Sequence, residues 1–427
     1  MEKESRITTY NSVTCPACSL LCDDLNVMSD AAGGSIKMLE NGCSRSIKFF
    51  EHTLNSIEPR LEGQKTNLDN AISHATKLIK ASNHTLISGL AVDVHGMRSI
   101  LSLADKIGAS LDHMNSSAML RNTLVVQNSG WQVCTLTEVR NRVDLLLVIG
   151  TDIVSIYPRF FEKVVWIDEI MFDQDISNRE IVYIGGKDLN TDSGMSKNGK
   201  KPTVISCENT DLPEVTNAIR ALVQGKSVSS EKVGGIAVSD LKQLAERLIA
   251  SKYSVITWAT STFDFPHAEL TVQNITETIN FLNRKTRCSG LPLAGNEGDV
   301  TANQVSTWIS GYPIRNSFIH GYPEYSPYQF NTPELLSNGE ADILIWVNTL
   351  NPDRLPPSCD IPTIVFGHPD MKFNKEPDLF IPVGVPGIDH TGTMFRCDNV
   401  VSLQLKKIRE SKLPTLQSVV SSIESSL

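Results

Sequence analysis

No apolar run in this sequence approaches the roughly 20 residues that a membrane-spanning helix needs; stretches such as "LLLVIG" are only strand-length. The opening "MEKESRITTYNS" has no apolar segment of the kind a secretory signal carries. A cytoplasmic protein is therefore expected. Positive charge is also in short supply: 39 Lys and Arg stand against 48 Asp and Glu, a net charge of −9. That balance favours solubility and argues against nucleic acid or an anionic membrane as partner, and no basic, aromatic-rich run reverses it. Two catalytic signatures are missing as well. "GGKDLNTDSG" lacks the Gly-x4-Gly-Lys-Ser/Thr order of a phosphate loop, and no nucleophilic triad is legible. Finally, there is no disulfide framework: the cysteines number nine, and Cys134, Cys207, Cys288, Cys359 and Cys397 are widely scattered.

What is present is ordinary globular material, 41% hydrophobic and 20% charged over 427 residues, enough for two to four domains. From about Thr66 onwards, helix patterns alternate with short apolar strands. "TNLDNAISHATKLIKAS" puts Leu68, Ile72, Ala75 and Leu78/Ile79 on one face and leads into the strand "HTLISGLAV". "VSDLKQLAERLIASK", with Ser239 as N-cap, stripes Leu241, Leu244 and Leu248 and leads into "YSVITWAT". "TLTEVRNRVDLLLVIGTD" and "NTPELLSNGEADILIWVNTLNP" match each other in the same way, each a short helix followed by a strand. "KVVWID", "EIVYIG" and "PTIVFG" read as further strands, and Asp211, Pro213 and Gly225 bracket another helix. The grammar predicts α/β architecture: duplicated Rossmann-like parallel-sheet units, with helices on both faces of each sheet. The expected segments are 1–62, a cysteine lobe; 63–210 and 211–370, two α/β domains; and 371–427, strands and turns ending in a helix-like tail.

The remaining four cysteines are grouped. "TCPACSLLCDD" and "ENGCSRS" place Cys15, Cys18, Cys22 and Cys43 at x2, x3 and x20 intervals. Three thiolates within eight residues reach one centre only if the backbone curls, which Pro16, Ala17 and Ser19 permit. A [4Fe–4S] cluster and a tetrahedral zinc site both use four cysteine sulfurs, and both readings stand beside that of empty thiols.

A cysteine lobe followed by duplicated α/β units resembles the molybdopterin oxidoreductases. The likeness sharpens in three blocks: "GWQVCTLTEVRNRVDLLLVIG" (130–150), "NQVSTWISGYPIRNSFIHGYPEYSPYQFNTPELLSNGEADILIWVNTLNP" (303–352) and "VPGIDHTGTMFRCDNVVSLQLKKI" (385–408). With "CPACSLLCDD" they resemble the B subunit of formylmethanofuran dehydrogenase over nearly the whole chain. That resemblance implies a cysteine or selenocysteine ligand to tungsten or molybdenum in a Ser-x-Cys-His-Gly-Pro-like run. It also implies a second run like Arg-Gly-His-Tyr-Asn that supplies a cation and a proton carrier.

Here the two runs read "NSSAMLRNTLVVQ" and "LAGNEGDV". Ala118 stands at the ligand position, Met119 and Leu120 follow it, Ala294 replaces the arginine and Asn296 the histidine. Alanine has no lone pair for a metal, and asparagine is no general acid near neutral pH. The resemblance therefore points to a degenerate member without tungstopterin or molybdopterin, most like the B subunit of the formyltransferase/hydrolase complex of methylotrophic bacteria. In that role the chain is a non-catalytic subunit of an assembly that moves formyl from tetrahydromethanopterin to a methanofuran-type carrier and releases formate. The implied partners are a zinc amidohydrolase-like A subunit, a β-helical C subunit and a formyltransferase-like D subunit. The alternative is a catalytic B subunit of formylmethanofuran dehydrogenase carrying a tungsten or molybdenum pterin. His113 reads as a hydrogen-bonded polar group, Glu297 and Asp299 as solvated loop carboxylates, and Trp308, Tyr312, Tyr322, Tyr325 and Tyr328 as core or interface aromatics.

Overall fold

Strands with apolar side chains at nearly every position, such as "LLLVI" and "ILIWVN", have no polar face to offer water, so they belong inside a sheet covered on both sides. The computed structural model, which describes residues 7–30, 35–51, 58–294 and 296–427, places them there. The first six residues, on which the leader reading partly rests, lie outside that set. The chain divides into two units, one of residues 1–116 and 295–427, the other of residues 117–294.

In the first unit a mixed sheet is built around four parallel strands. Thr85–Ala91 and Thr363–Gly367 flank Ile343–Asn348, and Leu379–Pro382 follows on the far side. Ile345 sits opposite Ile87 on one side and Ile364 on the other, so the register stacks apolar rows. Helices Leu68–Ala81, Val94–Ile107 and Leu416–Ser426 pack Ala75, Ile79, Met97, Ile100, Val420 and Ile423 against that sheet. Ahead of it lies an antiparallel sheet of Ile7–Val13, Leu25–Asp30 and Ile36–Glu40, with the cysteine loop between its first two strands.

The second unit holds a parallel sheet in the order Thr203–Ser206, Glu180–Gly185, Leu145–Ile149, Ser254–Trp258, Cys288–Pro292. Helices Leu212–Val223, Val238–Ala250 and Glu269–Leu282 pack on it through Val215, Leu244, Leu248, Val272 and Ile279. The mixed α/β class with parallel strands is thus observed. The units do not follow the sequential segments 63–210 and 211–370. Each sheet takes one member from each matched pair: "HTLISGLAV" lies beside "DILIWVN", and "LLLVIG" beside "YSVITWAT". Periodicity predicts a strand but carries no information about its neighbour.

Three local readings need correction. "KVVWID" is not a strand; Phe161–Val165 forms a π-helical turn, because Phe160, Phe161, Val164 and Val165 are buried at helical rather than alternate spacing. Ser239 is not the N-cap of its helix, which starts at Val238 directly after the strand Ile236–Ala237, leaving Ser239 in the first turn. The C-terminal helix is no tail: Leu416, Val419, Val420 and Ile423 are core residues. Asp211, Pro213 and Gly225 do bracket Leu212–Val223, with Gly225 in the left-handed region just after its end.

Candidate functional site

The cysteine loop turns back on itself. The Cys15 N–H donates to the Cys22 carbonyl at 2.8 Å, and the Leu21 N–H to the Cys18 carbonyl at 3.2 Å. Leu21 takes φ +49°, a left-handed conformation that costs a branched side chain roughly 1–2 kcal/mol and is held by the closed loop. Cys15, Cys18 and Cys22 are buried; Cys43 is half-buried at the head of helix Ser44–Phe50, where its N–H donates to Ser46 Oγ at 2.7 Å. Burial pushes the Cys15 thiol well above its ordinary range, and Cys18, Cys22 and Cys43 raise it further. The Cys18 thiol is pushed up to about 11, again mainly by burial, with Arg45 acting in the opposite direction. The loop carries three thiols, and the helix after it a fourth, of the type that zinc and iron–sulfur clusters use. Among the described residues no three His, Cys, Asp or Glu side chains are already gathered into a metal-holding geometry. Seating an ion would require the thiols to turn toward it and lose their protons.

A fifth cysteine lies against this loop. The Cys397 N–H donates to the Ser19 carbonyl at 2.8 Å, and its side chain is fully buried. Its thiol is pushed far up by burial, then by Asp398 and Cys18. In the sequence Cys397 is one of the scattered five; only folding of the C-terminal hairpin brings it there.

The residues that the sequence resemblance singles out, Ala118, Met119, Leu120, Ala294 and Asn296, fall in two places. Ala118, Met119 and Leu120 lie half-buried in the first turns of helix Ser116–Ser129. Ala294 ends the second unit, its carbonyl accepting from the buried Tyr157 hydroxyl. Asn296 belongs to the first unit, and Gly295 between them lies outside the described residues. None of these side chains offers a metal ligand of the expected kind or a titratable proton.

Around Asn296 the polar atoms are tied to one another. Arg45 Nη1 donates to Asn296 Oδ1 at 3.2 Å, and Asn115 Nδ2 donates to the Asn296 carbonyl at 3.1 Å. Glu297 accepts from Asn115 Nδ2 at 2.9 Å and from Asn351 Nδ2 at 3.1 Å, one on each carboxylate oxygen. Arg354 Nη2 donates to Asn115 Oδ1 at 3.2 Å. His113 Nδ1 accepts from the Asn115 N–H at 3.0 Å, so its proton is on Nε2, which faces the Glu297 carbonyl at 3.3 Å. Burial lowers the His113 pKa to about 4, holding the ring neutral. The two carboxylates are not simply solvated, as the sequence suggested: Glu297 clamps two carboxamides, and Asp299 is buried in the first turn of Asp299–Ser310. Beside this network a cavity of about 310 Å³ opens between the cysteine loop (Pro16, Ala17), the cysteine helix (Arg45, Phe49) and Asn296 and Asn351.

The aromatic stretch is not core. Trp308 and Tyr328 are 58% and 65% exposed, while Tyr312 and Tyr325 stack with centroids 6.1 Å apart. No helix among the described residues is long and apolar enough to cross a membrane.

No protein-family model matches the chain. Among characterised proteins it is 24% identical over 419 residues to the B subunit of tungsten-containing formylmethanofuran dehydrogenase 2 of Methanocaldococcus jannaschii, covering 94% of each chain. It is 23% identical over 416 residues to the protein of that name from Methanococcus maripaludis, covering 93% of this chain and 94% of the relative. It is 26% identical over 341 residues to the B subunit of the formyltransferase/hydrolase complex Fhc of Methylorubrum extorquens, covering 78% of this chain and 87% of the relative. Among solved structures, a chain of the Methylorubrum extorquens FhcABCD complex with methylofuran superposes with a TM-score of 0.73 at 22% identity, over 86% of this chain and 98% of that one. Acetylene hydratase from Pelobacter acetylenicus superposes with a TM-score of 0.66 at 9% identity, over 97% of this chain and 69% of the hydratase. At such identities the two structures show the fold. Over nearly its whole length, this chain is similar to the B subunits of formylmethanofuran dehydrogenase and, over most of it, to the B subunit of the Fhc complex.

Proposed function

We propose that this chain is a non-catalytic, structural B subunit of a formyltransferase/hydrolase complex. The complex would pass formyl from tetrahydromethanopterin to a methanofuran-type carrier and release formate in one-carbon oxidation. The observation that carries the reading is chemical. The fold is kept, while Ala118 has no donor for a tungsten or molybdenum ion and Asn296 no proton to move. The polar groups near Asn296 are engaged with one another through Arg45, Asn115, Glu297 and Asn351. The residues do not fit a bound tungstopterin or molybdopterin, and no reaction step is assigned to one. The Methylorubrum relative supports the setting, and the matched FhcABCD structure is a multisubunit complex. The partners in this reading are an amidohydrolase-like zinc subunit, a β-helical subunit and a formyltransferase-like subunit.

Cys15, Cys18, Cys22 and Cys43 have the right chemistry for zinc or a [4Fe–4S] cluster, which would staple the N-terminal lobe. The chain's own contribution is the closed loop that keeps three of the four sulfurs out of water.

One observation favours a second reading, that of a catalytic pterin subunit: the match to the dehydrogenase subunits spans 94% of the chain, against 78% for the Fhc relative. Elemental analysis of the anaerobically purified complex separates the two. The structural reading expects no tungsten or molybdenum, no viologen-linked oxidation of formylmethanofuran, and loss of the complex when the chain is deleted. Tungsten or molybdenum near one per chain, or an assembled and fully active complex without the chain, overturns it.

A further inference from the structure

We infer that the exposed aromatic face around Trp308, Tyr312 and Tyr328 is a protein-docking surface of the first unit. Its occupant is another subunit, with an apolar centre rimmed by Lys and Arg. The inference rests on the multisubunit reading proposed above and assigns a surface to it.

The face is built from one loop system. Helix Asp299–Ser310 ends with Trp308 and Ile309 exposed, and the chain turns through Gly311 to Tyr312. The short strands Asn316–Ser317 and Glu324–Tyr325 pair with each other and extend the first unit's sheet beyond Ser110–Leu111. Ile319 and Tyr322 lie in the turn between them, and Tyr328 follows. These six side chains are each at least 40% exposed. At about 200 Å² for a whole aromatic side chain, they offer roughly 500 Å² of open surface. Monomers rarely show an apolar patch larger than a few hundred Å².

The loops are held from beneath. Arg315 and Asp112 form a buried ion pair at 3.5 Å. Arg315 Nη1 donates to the Pro327 carbonyl at 2.6 Å, and its Nε donates to Ser116 Oγ at 3.1 Å. The Thr332 N–H donates to Asp112 Oδ2 at 2.7 Å. Arg315 itself has φ +78°, a left-handed conformation uncommon outside glycine, and strain of this kind collects at functional sites. The Tyr312 ring stacks on that of Tyr325. The rings are thus ordered before anything binds, which lowers the entropy lost on docking.

Charge selects the occupant. Between residues 303 and 340 Arg315 is the only Lys or Arg, and it is buried; Glu324, Glu334 and Glu340 are the carboxylates. Glu324 is bonded to His320. Asn331 donates to the Tyr328 carbonyl at 2.8 Å and accepts from the Glu334 N–H at 3.1 Å, which sets Glu334 beside the face. Uncharged aromatics at the centre are the composition of an interface core. Two copies meeting through this face would bring two acidic rims together, whereas a Lys- and Arg-rimmed partner pairs with them.

The test co-expresses the full-length chain with the three other subunits of the proposed complex. Hydroxyl-radical footprints of the chain alone and in the complex should show Trp308, Tyr322 and Tyr328 protected on assembly. Trp308→Ala and Tyr328→Ala should keep the melting temperature of the isolated chain and weaken its binding to the other subunits at least about tenfold each. Glu334→Lys should slow association. If the complex forms while these aromatics stay as reactive as in the isolated chain, the inference fails and the complex reading stands. A chain that sediments alone as a dimer, split by Trp308→Ala, makes the occupant a second copy and overturns the inference. Faster association of Glu334→Lys means an acidic partner rim and overturns it too. If the wild type does not join the other subunits, the complex reading fails, and this inference with it.

Discussion

Glu297 offers the sharpest test of whether the region around Asn296 has closed on itself. The carboxylate takes one carboxamide hydrogen bond on each oxygen, from Asn115 and Asn351, and the first of these donors also holds the Asn296 carbonyl. Hydrogen bonds to a charged group contribute about 1.5–3 kcal/mol each when buried; for this half-buried carboxylate the lower end applies, so Glu297→Ala should cost about 2–3 kcal/mol. A second effect acts in the other direction. Glu297 has φ +50°, a left-handed conformation that glycine adopts freely and alanine does not, a difference of roughly 1 kcal/mol. Glu297→Gly should therefore be less destabilising than Glu297→Ala, even though both delete the same carboxylate. Gln at 297 keeps the acceptor on one side only and should fall near the glycine variant. Thermal unfolding followed by circular dichroism, at one protein concentration, reads the order directly. At roughly 2–4 °C per kcal/mol, the alanine variant should melt about 5–10 °C lower. An alanine variant within about 1 °C of wild type would mean that Glu297 organises nothing. A glycine variant worse than alanine would refute the strain argument.

Three further perturbations follow from the same structure. Arg409 and Asp389 form a pair 6% and 1% exposed, with two guanidinium nitrogens on one carboxylate oxygen at 3.0 and 2.8 Å; Arg409→Ala leaves a buried charge and should cost about 3–5 kcal/mol in denaturant unfolding. His113 has a folded pKa of about 4 against about 6.5 unfolded, so the unfolded chain binds the extra proton; its contribution is present in full above pH ~6.5 and lost as the pH falls toward 4, up to ~3 kcal/mol. His113→Asn should flatten the decline in melting temperature between pH 6.5 and 4, and an unchanged slope would show that the ring is not held neutral. Thr135 and Glu138 close a capping box on helix Leu136–Arg142, with bonds of 3.0 and 2.8 Å, and Thr135→Ala should cost about 1 kcal/mol in the same unfolding measurement.

Much of the fold was legible because burial on both faces leaves a strong trace in sequence. "LLLVI", "SVITW", "ILIWVN" and "TIVFG" are strands in the structure, each apolar or small at almost every position. Leu241, Leu244 and Leu248 form the buried stripe their spacing predicts. "KVVWID" failed because a short apolar run fits one helical turn as well as a strand, and its neighbours Phe160 and Phe161 decide the matter. The unit boundaries were not legible for a different reason. Strand Ile343–Asn348 pairs with Thr85–Ala91 across the whole second unit, and a hydrogen-bond ladder between such distant segments depends on the finished sheet.

The candidate site divides along the same line. Cys15, Cys18 and Cys22 could be grouped from the sequence because they share one loop, and Ala118, Ala294 and Asn296 could be singled out because lacking a lone pair for a metal or a titratable proton is a property of the residue alone. What the side chains do instead was out of reach. Arg45 meets Asn296, Asn115 meets Glu297, and Cys397 meets the cysteine loop only after segments far apart in the chain have folded onto one another. These contacts bear on what a metal at the cysteines would do. Arg45, which holds Asn296, and Phe49, which lines the cavity, both sit on the helix that Cys43 heads. A metal at the thiols would fix the start of that helix, and with it the arginine that occupies the hydrogen-bonding capacity of Asn296. If the proposed metal is bound at these thiols, its removal by a chelator should loosen the Arg45–Asn296 contact before it melts the sheet of the first unit.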